Sequence, residues 1–443
     1  MTADERRCQR FIEWVEKRGS ATRPLNGTGT EGIFRAVVIP VLAERENLFE
    51  TLKSLAKNPA EQLKDTLVIC VVNNRAEPSA RADQIADNQN VLQNLDQIVQ
   101  GGLTPVDPDG EISALRLAYV DASSPGQELG RKMGVGEARR IGLDTALGVL
   151  CRNGSPDGLL ISLDGDSLVE PNYLNAISQH FAVSDAGAGV VAFAHPVPED
   201  PVHREAIQLY EIFLRYHELG LRTAGSPFAL PTVGSTIVAR GGAYVAAGGM
   251  NRKQAGEDFY FIQQLVKTGS VARIDTTTVF PSARASDRVP FGTGASMGRH
   301  LGGGGDLRTV YHPEGYRILG AWLSLVLNHL EASAEELLKE GAAIAPQLGT
   351  FIEEQGFQDV WPKLQQNAPD LEGLAAQFHR WFDGFKSLKL IHYLRDHGYR
   401  PMLIEDAVTQ LLPAVGVGVD GSSVSDRLSG LLGQLRARCR NWG

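Results

Sequence analysis

Over the first two-thirds of the chain, short and almost wholly apolar runs alternate with segments whose apolar residues recur every three or four positions. Strands buried on both faces read as continuous apolar runs, and surface helices as an apolar stripe, so the alternation predicts βα units. Residues 4–18 carry Cys8, Phe11, Ile12 and Val15 on one helical face, and a polar, glycine-bearing linker follows over 19–32. Phe34 to Pro40 predicts the first strand and Asn47 to Ala56 a helix. Thr66 to Asn73 (TLVICVVN) predicts the second strand, Leu115 to Asp121 the third, Gly136 to Leu150 a helix and Gly158 to Leu163 the fourth. Ala188 to Ala194, Thr232 to Ala239 and Val271 to Phe280 add further strands, and the polar stretch Ala76 to Gly110 reads as a helical insertion. Beyond Tyr311 only helical periods remain, over 318–330, 332–348, 371–388 and 404–412. The expected class is α/β: a mainly parallel sheet flanked by helices, preceded by an N-terminal helix and followed by a mostly helical C-terminal domain. The expected divisions are 1–33, 34–305 and 306–443, with the last cut just after the glycine run 302–305.

Composition narrows this picture. At about 150 residues per domain, 443 residues would suggest about three. Lys plus Arg is 43 and Asp plus Glu is 52, a net charge of −9, which offers no general footprint for nucleic-acid phosphates. Glycine is in excess, 48 residues, with no collagen-like period, so it belongs in loops that turn sharply or approach a ligand. Cys8, Cys70, Cys151 and Cys439 have no paired spacing, which argues against a disulfide framework or zinc knuckle. The N-terminus lacks an apolar signal core, and the most apolar stretch, 318–327, is too short to span a bilayer. A soluble, cytoplasmic protein with no integral membrane segment is expected.

The strongest chemical signal is Leu163-Asp-Gly-Asp-Ser-Leu-Val-Glu170, directly after the fourth strand. In extended chain Asp164 and Asp166 point the same way, and Gly165 between them allows close approach. Such a pair suits a hard divalent cation that keeps positions open for substrate phosphates; the plainer alternative is two turn-forming aspartates before a helix near Asn172. Gly134-Val-Gly-Glu-Ala-Arg139 has no strand before it, so it is not a dinucleotide loop. Arg131, Lys132, Arg139 and Arg140 nevertheless surround a glycine-bearing helix start, a place suited to a diphosphate, or else a solvated basic face. Gly256-Glu257-Asp258 opens another helix, where the carboxylates either cap the positive helix end or supply a general base. The loop Arg284-Ala-Ser-Asp-Arg288, with Pro290-Phe-Gly-Thr-Gly294, is either a plain connection or a lid with Arg or Asp reaching phosphates or metal. The ten histidines form no HExxH pattern; His195, His300 and His312 are the remaining metal candidates. No P-loop, GxSxG elbow or kinase set is present.

In order and spacing these features resemble family 2 glycosyltransferases of the GT-A fold. Val37-Val-Ile-Pro40 through Glu44 to Leu48 is similar to the family's opening motif, with Glu44 in the place of the acidic nucleoside contact and Ala43 where asparagine is usual. Asn73 and Asn74 stand where the family commonly has aspartates near the base and ribose. Gly136-Glu-Ala-Arg139-Arg-Ile-Gly142 resembles its diphosphate-side helix, Asp164-Gly165-Asp166 its DxD, Gly234-Ser-Thr236 its acceptor-side loop, and Glu257-Asp258 its ED pair. The resemblance covers about residues 34–294. It implies a nucleoside-diphosphate sugar donor bound through Pro40, Glu44, Asn73, Asn74, Arg131, Lys132, Gly136, Arg139, Asp164 and Gly165. It further implies Mn2+ or Mg2+ on Asp164 and Asp166, and Asp258 as the base for an acceptor hydroxyl, aided by Glu257, with inversion. The missing Q-x-x-R-W motif points away from a processive polysaccharide synthase and toward a small or soluble acceptor. Two alternatives stay open: a retaining enzyme of the same fold making a glycosylated small solute, and a non-catalytic nucleotide-sugar-binding protein. A homo-oligomer is compatible with each.

Overall fold

Strands form in all seven expected segments, though the one expected over 232–239 starts only at Ile237, after a 3-10 turn at Gly234–Thr236. They share one nine-stranded sheet with two short additions that no apolar run announced. The structure is a computed structural model describing residues 1–20, 22–27, 29–286, 292–413 and 424–440. Asp287, Arg288, Pro290 and Phe291 of the polar loop lie outside the described residues. The chain divides into two units, 1–196 with 232–295, and 197–231 with 296–443.

The first unit begins with α1 (Ala3–Arg18), β1 (Asn26–Gly27), β2 (Arg35–Val41), α2 (Leu48–Ala56), α3 (Ala60–Leu63) and β3 (Thr66–Asn73). It continues with α4 (Ala82–Val99), β4 (Arg116–Ala122), α5 (Val135–Arg152), β5 (Leu159–Ser162), β6 (Leu168–Val169), α6 (Tyr173–Val183) and β7 (Ala188–Phe193). Then α7 (Pro201–Thr223) enters the second unit, and β8 (Ile237–Arg240), α8 (Gly241–Ala246), α9 (Glu257–Thr268) and β9 (Val271–Phe280) complete the first. The strand order is β1-β4-β3-β2-β5-β8-β7-β9-β6. The block β4-β3-β2-β5 is parallel, as is the pair β7–β9, whereas β1, β6 and β8 pair antiparallel, so the sheet is mixed with most of its register parallel.

That order places the site. From β2 the chain steps outward to β3 and β4, then returns through α5 to β5 on the other side of β2. This reversal makes a switch point, and the crevice at the carboxyl ends of β2 and β5 is where such sheets bind ligands. Close packing of α5 keeps it there: a Cβ on Gly142 would lie 2.3 Å from Val38 Cγ1, so the helix rests directly on the sheet. From outside, α1 clamps α5. Arg18 Nε donates to Asp144 Oδ2 at 3.0 Å, and Arg7 donates two bonds to Asp157 at 2.7 and 2.8 Å. The segment 1–33 thus folds as part of the first unit.

The second unit packs helices around Trp322, Phe357, Trp361 and Phe378, all fully buried. The sequence reading placed residues 201–223 in the 34–305 domain; their stripe Leu209, Ile212, Tyr216 and Leu219 instead joins the core of the C-terminal helices. An apolar stripe reveals a face to be buried but not which neighbour buries it. Arg436, on the helix Val424–Arg440, donates to both oxygens of Glu211 at 2.8 Å, and Arg215 Nε donates to Glu211 Oε1 at 2.8 Å. Among the described residues no helix is long and apolar enough to cross a membrane.

Candidate functional site at the carboxyl end of the sheet

The turn after β2 holds Ala43 in a left-handed conformation, φ 54°, which costs an L-residue with a Cβ about 1–2 kcal/mol. Asn88 of α4 holds this turn. Its Oδ1 accepts from the Ala43 N–H at 2.9 Å, while its Nδ2 donates to Asn73 O at 2.9 Å and Asn74 Oδ1 at 3.0 Å. Asn73 Nδ2 in turn donates to Val41 O at 2.9 Å. Asn73 and Asn74 are therefore buried and tie the ends of β2 and β3 together, rather than presenting side chains to an open nucleotide surface. Pro40 lies within β2, opposite Val71, and is likewise buried. Asn88 was missed by the sequence reading; it occupies a stripe position with Val91, Leu92, Leu95 and Ile98, where a polar residue must find internal partners.

After β5 come Asp164, Gly165 and Asp166. Their side chains keep 31% and 20% exposure for Asp164 and Asp166, enough to meet a ligand. A Cβ on Gly165 would stand 3.4 Å from Glu44 Cγ and the Pro40 carbonyl, so the loops after β2 and β5 touch here. Asp164 accepts from Arg139, whose guanidinium is buried at 4% exposure. Arg139 also donates through Nε to Glu257 Oε1 at 3.0 Å, and through Nη1 to Ser162 Oγ and to the Gly234 carbonyl at 3.3 Å. Arg139 thus points inward and joins Asp164 of the DGD to Glu257 at the start of α9. Two glycines permit this. A Cβ on Gly234 would lie 2.3 Å from Arg139 Nη2, and one on Gly136 would lie 2.4 Å from the Lys253 carbonyl, against the loop that leads into α9. Ser162, the one polar residue of a strand otherwise apolar, carried the only sequence hint of this arginine seat.

Electrostatics separate the two acids of α9. Burial raises the Glu257 pKa above its ordinary value, and the Arg139 guanidinium opposes that rise. Burial and then the neighbouring Glu257 charge push Asp258 up to about 7. A carboxylate poised there can take up and release a proton near neutral pH. Its Oδ1 accepts the Phe259 N–H at 2.7 Å. Burial lowers the Arg139 pKa, but Asp164, Glu257 and Asp258 together raise it, so it stays charged.

Arg131 and Lys132 are exposed on the turn before α5 and form no ion pair among the described residues. Arg284, just beyond β9, donates to both oxygens of Glu44 and, at 3.0 Å, to Asp166 Oδ2. Arg139 thus holds Asp164 and Glu257, Arg284 holds Glu44 and Asp166, the two groups adjoin along the chain at Asp164-Gly165-Asp166, and Asp258 follows Glu257. Among the described residues no three His, Cys, Asp or Glu side chains group to hold a metal ion. Two part-exposed aspartate oxygens in an acidic setting nevertheless fit a cation that takes one or two carboxylates from protein and the rest from phosphate and water. His195 follows the carboxyl end of β7, its Nε2 3.3 Å from Thr293 Oγ1. A cavity of about 400 Å³ lined by Phe34, Arg35, Leu159 and Arg240 opens at the opposite ends of β2 and β5, away from these carboxylates.

No family model matches the chain, and no curated protein matches it in sequence. Among solved structures it is similar to S. aureus TarS 1–349 in complex with UDP-GlcNAc, at 12% identity and a TM-score of 0.38, covering 83% of this chain and 93% of that one. The same TarS fragment without ligand gives 12% and 0.37, and in complex with UDP 11% and 0.36, with the same coverage.

Proposed function

We propose that the chain is a glycosyltransferase of the GT-A type, moving a sugar from a nucleoside-diphosphate sugar to a hydroxyl of a small or soluble acceptor with inversion. One observation carries this reading. At the sheet's switch point one buried arginine joins Asp164, of a DGD pair suited to a donor's metal, to Glu257, and the next residue, Asp258, is a carboxylate poised near pH 7. Asp258 takes the proton of the acceptor hydroxyl as that oxygen forms its bond to the anomeric carbon. The bond from that carbon to the diphosphate breaks, and the nucleoside diphosphate leaves with the electron pair. Glu257, held by Arg139, fixes the first turn of α9 so that Asp258 faces the acceptor. Asp164 and Asp166 would hold Mn2+ or Mg2+, which when bound supplies positive charge to the leaving diphosphate. Glu44 would meet the nucleoside, and exposed Arg131 and Lys132 would screen phosphate charge.

The test is a thermal-shift panel of UDP-, GDP- and dTDP-sugars with and without Mn2+ or Mg2+, followed by NMR of the product formed from the donor that binds. Donor binding to the native state raises the midpoint. The expected result is a shift with one donor class and a product of inverted configuration. A retained configuration overturns the inversion; binding without turnover of any acceptor overturns the enzyme reading; a flat panel overturns the donor assignment.

A further inference from the structure

The pairing of Glu44 and Asp166 through Arg284 follows from strand register. β6 pairs antiparallel with the end of β9, Leu168 opposite Phe280 and Val169 opposite Val279. Two residues back from Leu168 is Asp166 and four residues on from Phe280 is Arg284, so the register delivers the guanidinium to the DGD loop. Glu44 arrives independently from the end of β2. One nitrogen, Nη2, serves both Glu44 oxygens and Asp166 Oδ2. The guanidinium is a third exposed, the Glu44 side chain only 7%, and Arg284 Nε is buried without a hydrogen-bond partner among the described residues. Such a clasp uses the planar fork at one corner only, unlike the bidentate seat that normally fixes an arginine–carboxylate pair.

We propose that Arg284 is the donor site's exchangeable counter-ion: it neutralises Glu44 and Asp166 in the ligand-free protein and yields Asp166 to the divalent cation. This rests on the reading of Asp166 as a metal ligand. A guanidinium and a metal ion compete for the same carboxylate, so each weakens the other's hold by an equal factor. Glu44 is held by the same guanidinium and by Asn47, whose Nδ2 donates to its Oε2 at 3.1 Å. An arginine that merely pins the segment after β9 would leave metal affinity unchanged.

The experiment is a titration of the ligand-free full chain with Mn2+ alone, free Mn2+ being read by electron paramagnetic resonance, for wild type, Arg284→Gln, Arg284→Lys and Asp166→Asn. Arg284→Gln is expected to bind Mn2+ about tenfold more tightly than wild type, within the usual range of coupling between sites, Arg284→Lys by less, and Asp166→Asn to lose binding. In unmutated protein, phenylglyoxal labelling of Arg284 followed by mass spectrometry is expected to rise several-fold when Mn2+ saturates, which covers a poorly folded Arg284→Gln. Unchanged or weaker Mn2+ binding in Arg284→Gln, with binding lost in Asp166→Asn, overturns the exchange and leaves the transferase reading standing. Unchanged or reduced labelling with Mn2+ bound does the same. No Mn2+ binding in any variant overturns the exchange and the metal assignment together, and donor binding in the metal-free thermal-shift panel then still stands as a separate test of the transferase.

Discussion

Asp258→Asn is expected to stabilise the protein while abolishing transfer, and the two effects share one cause. Asp258 titrates near 7 in the folded protein against an ordinary 3.8, a shift of roughly three pH units and on the order of 4 kcal/mol if fully realised. The side chain is half-buried, and water and the coupled Glu257 charge absorb part of that cost, so about 1–3 kcal/mol is expected. The sign follows from proton counting. Between about pH 4 and pH 7 the folded state holds a proton on Asp258 that the unfolded chain has lost, so wild-type stability falls as pH rises through this window and is level above it. Asparagine removes that dependence and keeps an oxygen to accept the Phe259 N–H. Urea unfolding at pH 3.5 and pH 8 should show the variant about equal to wild type at the lower pH and about 1–3 kcal/mol more stable at the higher. Transfer at pH 8 should fall by about 10²–10⁴, the usual contribution of a general base. Wild-type kcat/KM should rise through pH 7 as the carboxylate ionises. A variant less stable than wild type at pH 8, or one with a gain independent of pH, would refute the electrostatic account of this residue.

Four further outcomes can be measured by the same unfolding assay. Arg139→Met strands Glu257 as a buried charge without its partner and is expected to cost about 3 kcal/mol, most of it recovered when Glu257→Gln is added. Gly136→Ala puts a Cβ 2.4 Å from the Lys253 carbonyl and 2.8 Å from that of Asn251, so backbone must move; a loss of about 1–3 kcal/mol is expected. Ala43→Gly relieves the left-handed strain at φ 54° and should raise stability by about 0.5–1 kcal/mol, whereas no change would mean the turn relaxes without it. Asn88→Ala leaves the Ala43 N–H and the Asn73 carbonyl without their partner and should cost about 2–3 kcal/mol, seen as a lower urea midpoint with an unaltered slope.

The elements written in the sequence are those whose signal is local. TLVICVVN and GLLISL read as buried strands and form them, and the GED cluster opens α9 as expected. The DGD follows β5 but makes a turn, Ser167 N–H donating to the Asp164 carbonyl at 3.1 Å, so its two aspartates reach different arginines instead of pointing the same way. Less legible were features decided by which surfaces meet. Arg139 reads as one of four cations around a helix start; only the packing of α5 against Gly234 and the loop before α9 turns it inward between two acids. The resemblance sets Asn73 and Asn74 among the nucleotide contacts; what it does not reveal is that Asn88, fifteen residues on from Asn73, binds the Asn74 amide oxygen and the Asn73 carbonyl. The sequence reading names no element over 201–223, and the partners that fix α7 there lie far along the chain, Tyr311 at 95 residues from Tyr216 and Arg436 at 225 from Glu211.

The two arginines of the cluster differ in a way that assigns them different work. Arg139 is 4% exposed, donates from all three nitrogens, and is backed by Ser162 and a main-chain carbonyl that cannot move away. A charge so enclosed is a fixed part of the fold; removing it uncovers Glu257, and no ligand can take its place without unpacking α5 from the sheet. Arg284 is a third exposed, follows the last residue of β9 by four, and grips its carboxylates through a single nitrogen. Its contacts are with side chains alone, which a cation of higher charge density can capture at small structural cost. On the proposed reading, carboxylates gathered here would repel one another and a donor's diphosphate, a permanent cation would hold the acids together and a replaceable one would let a donor in. On this division of labour, Arg139 variants should be read first in stability and Arg284 variants first in metal affinity.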